Sequence, residues 1–232
     1  MGNLFMSRMF SDDNFQRKYL GFFIGIYNRN KMLLTISLVI FFASLFIGLF
    51  IGYFSTGFTG NFLTIIIKGL SGLIVEITTL SIFLHNLQSV LFTYFGGIIG
   101  IIPAVEIAFN GFIYGAFVGY FMHGGIVSNY FVSNPVDFII YTLPHGIFEI
   151  PGFIIAGAAG FRLTTLVIGI LESISRKTPI SEHYWKLKDS LALLVIAIVL
   201  IFIAAIIEAN ISVHVGNYIT GLNLHGLVSI NS

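Results

Sequence analysis

The chain has 232 residues, 56% of them hydrophobic and 9% charged, with a net charge of +1 and a mean hydropathy of +0.96. A water-soluble domain carries about 25% charged residues, so this chain cannot cover itself in water and is read as a membrane protein. The near-neutral balance argues against a nucleic-acid partner, which would need a basic face. The absence of cysteine excludes disulfides, thiolate metal sites and thiol nucleophiles.

In chain order, residues 1–31 hold Arg8, Asp12, Asp13, Arg17, Lys18, Arg29 and Lys31 among short apolar pieces. They lack the single apolar core of a cleavable leader and read as a cytoplasmic amphipathic segment at the membrane surface. A spanning helix needs about 20 mostly apolar residues. Five stretches qualify: 33–53, 70–94, 97–121, 138–173 and 190–209. The fold class expected is therefore all-α, a polytopic transmembrane helix bundle of about five spans. The domain plan has the N-terminal segment 1–31, a transmembrane domain 32–209 and an external tail 210–232. Segment 60–69 reads as a short interfacial helix.

Basic residues precede the first span, and the loop 174–189 holds Arg176, Lys177, Lys186 and Lys188. The positive-inside rule then puts the N-terminus and that loop in the cytoplasm and the C-terminus outside, in a multi-pass protein of the cell membrane. The stretch 138–173 is long for one upright helix. Its 36 residues would run about 54 Å at the helical rise, against a hydrocarbon core of about 30 Å. The expectation is a lead-in at 138–143, a helix starting near Pro144, where proline suits a first turn, and an end projecting into the cytoplasm beyond Arg162.

Ionisable groups inside a bilayer cost about 2.5–3.5 kcal/mol each on insertion scales and mark functional sites by default. Here they are Glu76, His85, Glu106, His145, Glu149 and Glu208, joined by Asn86 and Asn110. Helix rise places His145, Glu149, Glu208 and Glu76 together in the outer part of the membrane, and His85, Asn86 and Glu106 lower, with Asn110 near the middle. Helical spacing aligns His145, Glu149, Gly152, Ala156 and Gly160 on one stripe. Gly111, Gly115 and Gly119 form a second seam, and small residues on a stripe let another helix come close. Pro151 cannot donate to the carbonyl of Ile147, which frees an oxygen beside His145 and Glu149.

A histidine and carboxylates at one depth suit a divalent cation such as zinc. His145, Glu149, Glu208 and Glu76 are the candidate ligands. Three other readings stay open: a hydrogen-bonded group that fixes helix register, a metal-dependent hydrolase acting inside the membrane, and an ion or small-molecule pathway. Composition and spacing do not decide whether the chain is an enzyme. The expected role is that of a membrane scaffold or complex subunit, associated with the lipid bilayer and with further copies of the chain or other membrane proteins.

The run LPHGIFEIPGFIIAGAAGFRL, with HN at 85–86, NG at 110–111 followed by glycines, and IIEA at 206–209, resembles the signature of the stage II sporulation protein M family. One departure is Gly152, where alanine is more usual. The resemblance implies a five-span membrane protein and weight on Asn86, Asn110, His145, Gly146, Glu149 and Glu208. In spore formers the family member anchors peptidoglycan-cleaving partners at the membrane. Relatives also occur in organisms that do not sporulate, archaea included, so the resemblance does not carry sporulation over to this chain.

Overall fold

The computed structural model describes residues 13–73, 78–125 and 134–220. Among them every regular element is helical: α1 Asp13–Phe54, α2 Thr56–Leu73, α3 Thr79–Gly96, α4 Ile102–Met122, α5 Pro135–Arg176, a 3-10 turn Ile180–His183, α6 Tyr184–Ile207, a π-helical turn Glu208–Ser212 and α7 Val213–Thr220. Four helical stretches among the described residues are long and apolar enough to cross a membrane, namely Leu20–Phe54, Ile102–Met122, Pro135–Arg176 and Ile180–Ile219.

Several boundaries differ from the sequence reading. Helix α1 runs unbroken past residue 31, so the basic segment from Asp13 onward is the start of the first long helix. Residues 70–94 are not one helix. Helix α2 ends at Leu73, and α3 begins at Thr79, where Thr78 caps it by accepting from the Ser81 backbone N–H at 3.1 Å. Helix α3 has only 18 residues and carries His85, Asn86 and Gln88. Helix α5 starts at Pro135 rather than Pro144, because Asn134 caps it by accepting from the Asp137 N–H at 2.8 Å and proline sits at the N-terminal end of the helix, where its missing donor is free of cost. Pro144 and Pro151 then lie inside one 42-residue helix; membrane helices tolerate interior proline because neighbours re-satisfy the freed groups. The expected interfacial helix at 60–69 is the middle of α2. That helix turns back on α4, with Gly60 beside Tyr120 and Phe62 edge-on to Phe112 at 5.9 Å.

Backbone contacts fix the directions of the helices. Gly111, Gly115 and Gly119 of α4 lie against the carbonyls of Phe41, Leu45 and Leu49 of α1. Both numbers rise together, so α1 and α4 run parallel. A side chain at any of the three glycines would meet backbone, which is the close approach that small residues permit. Gly152 and Gly160 of α5 face Ile201 of α6 and the Thr93 carbonyl of α3, while Ala156 is wholly buried. Helix α5 runs antiparallel to α4, α1 and α6, and parallel to α3, where the Thr164 hydroxyl donates to the Gly97 carbonyl at 2.7 Å. The main core gathers Val90, Tyr94, Phe153, Ala156, Leu193 and Ile201 from α3, α5 and α6.

Candidate functional site

Glu149 lies near the middle of α5, seven per cent exposed. Its Oε1 accepts from the Asn86 amide of α3 at 3.1 Å, and its Oε2 accepts from the Tyr114 hydroxyl of α4 at 2.7 Å. One turn earlier, His145 brings Nε2 to 3.8 Å from Glu149 Oε2, and its Nδ1 shares a 2.9 Å hydrogen bond with Ser212. Ser212 closes the π-helical turn that continues α6. Such turns carry one residue more per turn than an α-helix and recur at functional sites. Helices α3 and α4 therefore meet the Glu149 carboxylate of α5, and the π turn meets its neighbour His145.

This cluster forms part of the wall of a cavity of about 690 Å³. His85, Asn86, Glu106, Asn110, His145, Glu149 and Glu208 all line it, and no lysine or arginine does among the described residues. The separation into an upper and a lower group is corrected: Asn86 touches Glu149 directly. The cause is the late start of α3. Asn86 lies seven residues below Thr79, about 10 Å, rather than 16 below residue 70. Glu76 lies outside the described residues. Among the described residues, no three His, Asp or Glu side chains stand close enough to hold one ion. His145 hydrogen-bonds Ser212 and Glu149 hydrogen-bonds Asn86 and Tyr114, with 3.8 Å between the two side chains.

Sequence reasoning missed Tyr114 and Ser212. Tyr114 had a signal, since Glu106, Asn110 and Tyr114 follow at i, i+4 and i+8 on one helical face. Ser212 had none, because its partnership depends on the π turn.

A second polar network, also unforeseen, ties the opposite end of the bundle. Asp189 of α6 accepts from Arg29 Nε at 2.9 Å, from an Arg29 terminal nitrogen at 2.7 Å and from Asn30 Nδ2 at 3.0 Å. Arg162 of α5 donates to Asn30 Oδ1 and to the Arg29 carbonyl, and its guanidinium stands 5.1 Å from the centre of the Trp185 ring. Arg162 is therefore a buried joint between α1, α5 and α6.

The family model described as Stage II sporulation protein M matches residues 37–213. The chain is 34% identical over 141 residues to Uncharacterized protein MJ0793 of Methanocaldococcus jannaschii, a match spanning 60% of this chain and 73% of that one. It is 30% identical over 133 residues to Uncharacterized protein MJ0706 of the same organism, spanning 57% of this chain and 55% of that one, so about half of this second relative is covered. No solved structure matches. The matched region begins inside α1 and ends just after the π turn, so it takes in both sides of the cavity, and the chain belongs to the stage II sporulation protein M family of membrane proteins.

Proposed function

We propose that the chain is a membrane-embedded binding subunit whose cavity receives a small cationic or hydrogen-bond-donating group. The observation that carries this reading is the lining of the 690 Å³ cavity: three carboxylates, two imidazoles and two amides, with no lysine or arginine among the described side chains. Cavities of about 300–1,000 Å³ with a few convergent polar groups are the usual form of small-ligand sites. A cation entering such a wall favours the ionised carboxylate, and the resulting pair interacts more strongly in a low-dielectric setting than in water. Direct titration of the purified protein with propylammonium tests the reading. Binding that Glu149→Gln weakens tenfold or more supports it; absence of binding overturns it.

A divalent ion is the second reading, favoured by the 3.8 Å approach of His145 to Glu149. As His145, Glu149 and Glu208 do not stand close enough together to hold one ion, a third ligand would have to be Glu76, outside the described residues, or Glu208 after a shift. Elemental analysis of purified protein, with and without Glu149→Gln, decides it, and stoichiometric zinc lost in the variant is the supporting result. An intramembrane hydrolase needs such a metal with an open coordination position, so metal-free protein removes that reading too.

The same proposal places the Arg29–Arg162–Asp189 end of the bundle in the cytoplasm. It is supported by the gathering of the N-terminal basic segment and the 174–189 loop at one end of the molecule. In this orientation α3 crosses as a fifth, short span, and the C-terminal helix α7 lies outside. The same proposal takes the subunit to associate with further copies of the chain or with other membrane proteins.

A further inference from the structure

A second cavity of about 390 Å³ adjoins the polar one and differs from it in chemistry. Leu45 and Leu49 of α1, Val118 of α4, and Leu143, Ile147 and Ile150 of α5 are among the residues that line it. Tyr114, Phe138 and Thr142 line both cavities, so the two share a wall at the residue that holds Glu149. Leu143, Ile147 and Ile139 are exposed on the flank of α5, which opens the apolar groove toward the acyl-chain side of the bundle.

Gly146 supplies an independent observation. A Cβ at Gly152, Gly157, Gly160 or Gly169 of the same helix would run into a neighbouring helix or the 3-10 turn. At Gly146 it would meet only Thr142 at 3.8 Å and Ile150 at 4.0 Å, both of its own helix, and the position floors the groove. Glycine inside a helix costs about 1 kcal/mol relative to alanine. Helix packing accounts for the other four α5 glycines but not for this one, whereas a chain lying in the groove does.

We infer that the two cavities together form one site for a single-chain amphiphile with an amine or ammonium head, the head among Glu149, Glu208 and Glu106 and the hydrocarbon chain along Gly146. The inference rests on the reading of the polar cavity as a binding site and names its ligand class. Glu149, Glu208 and Glu106 all line the polar cavity, and their carboxyl groups complement an ammonium head and repel a phosphate or carboxylate one. The groove wall is almost wholly apolar and gives a chain the same solvent that the bilayer would, with fixed packing contacts in addition.

The test uses the full chain in neutral-lipid nanodiscs, with retention of hexadecylamine, palmitic acid and propylamine read by intact-mass spectrometry. Hexadecylamine should be retained at least tenfold over palmitic acid. Gly146→Leu should cut hexadecylamine retention about tenfold and leave propylamine within twofold, which also reports that the variant is folded. Leu143→Trp, narrowing the groove from its exposed rim, should act in the same way. Equal retention of palmitic acid, or hexadecylamine retention unchanged in both groove variants, overturns the inference. If propylamine binds in a Glu149-dependent way and the hexadecyl chain adds nothing, the polar cavity stands and the amphiphile site falls. If neither amine binds, both fall.

Discussion

Glu149 shows how one buried carboxylate organises its neighbours. Two donors from two other helices, Asn86 and Tyr114, end on it, and an apolar replacement would take away the acceptor of the buried Asn86 amide. Leaving a buried donor unsatisfied costs about 1–3 kcal/mol. Glu149→Leu should therefore lower the unfolding free energy in mild detergent by that amount, read by chemical denaturation. Adding Asn86→Ala to the same background should cost less than it does alone, because residues of one network are not additive. At this scale the sequence was legible where chemistry alone speaks: ionisable residues in apolar runs stand out whatever the fold. Tyr114 was readable from its spacing to Asn110. Arg29, Asn30, Arg162 and Asp189 were not, since their bonds join positions 132 to 160 residues apart and each looks like an ordinary span-end charge.

Elements obey tighter geometric limits than residues do. The α1–α4 pair is the most extensive helix contact in the molecule, and its closeness depends on the glycines at 111, 115 and 119 together with Gly48 and Gly52 on the facing helix. Gly115→Leu should force the helices apart. Overpacking a tight contact costs about 1–3 kcal/mol, and the loss should appear as a lowered melting temperature, whereas Gly57→Leu, in open space at the start of α2, should leave it unchanged. The glycine spacing was plain in the sequence, but the partner helix and its parallel sense were not. Element ends were harder. Pro144 looked like a helix start, while the actual start lies nine residues earlier at Pro135, set by the Asn134 cap. A membrane helix can carry interior proline, so proline is a weaker boundary marker here than in water.

For the whole molecule, the alternation of helix directions yields a topology that labelling can read, because the chain has no cysteine of its own. Gly57 and Tyr218 lie toward one end of the bundle, Ile99 and Glu182 toward the other, and all four positions are open to reagent. Single cysteines at 57 and 218 should react with an impermeant maleimide added outside intact cells. Cysteines at 99 and 182 should react only after permeabilisation. Labelling of 57 and 182 from the same side would break the alternation on which the cavity's placement in the membrane depends. The long helices were legible because hydropathy reports solvent preference directly. The short α3 was legible only as part of the longer stretch 70–94, because hydropathy does not mark the Thr78 cap at which it begins.

From sequence alone came the membrane, the all-helical class and the identity of nearly every polar group around the cavity, because each of these follows from how side chains and backbone amides partition between water and hydrocarbon. Tertiary structure alone decided which of those groups touch, that Asn86 and Glu149 share a depth, that Ser212 reaches His145, and that an apolar groove lies beside the acidic one. Depth and facing depend on where each helix begins and how it is rotated against its neighbours. Packing between residues far apart in the chain sets both quantities, and a local pattern does not record them.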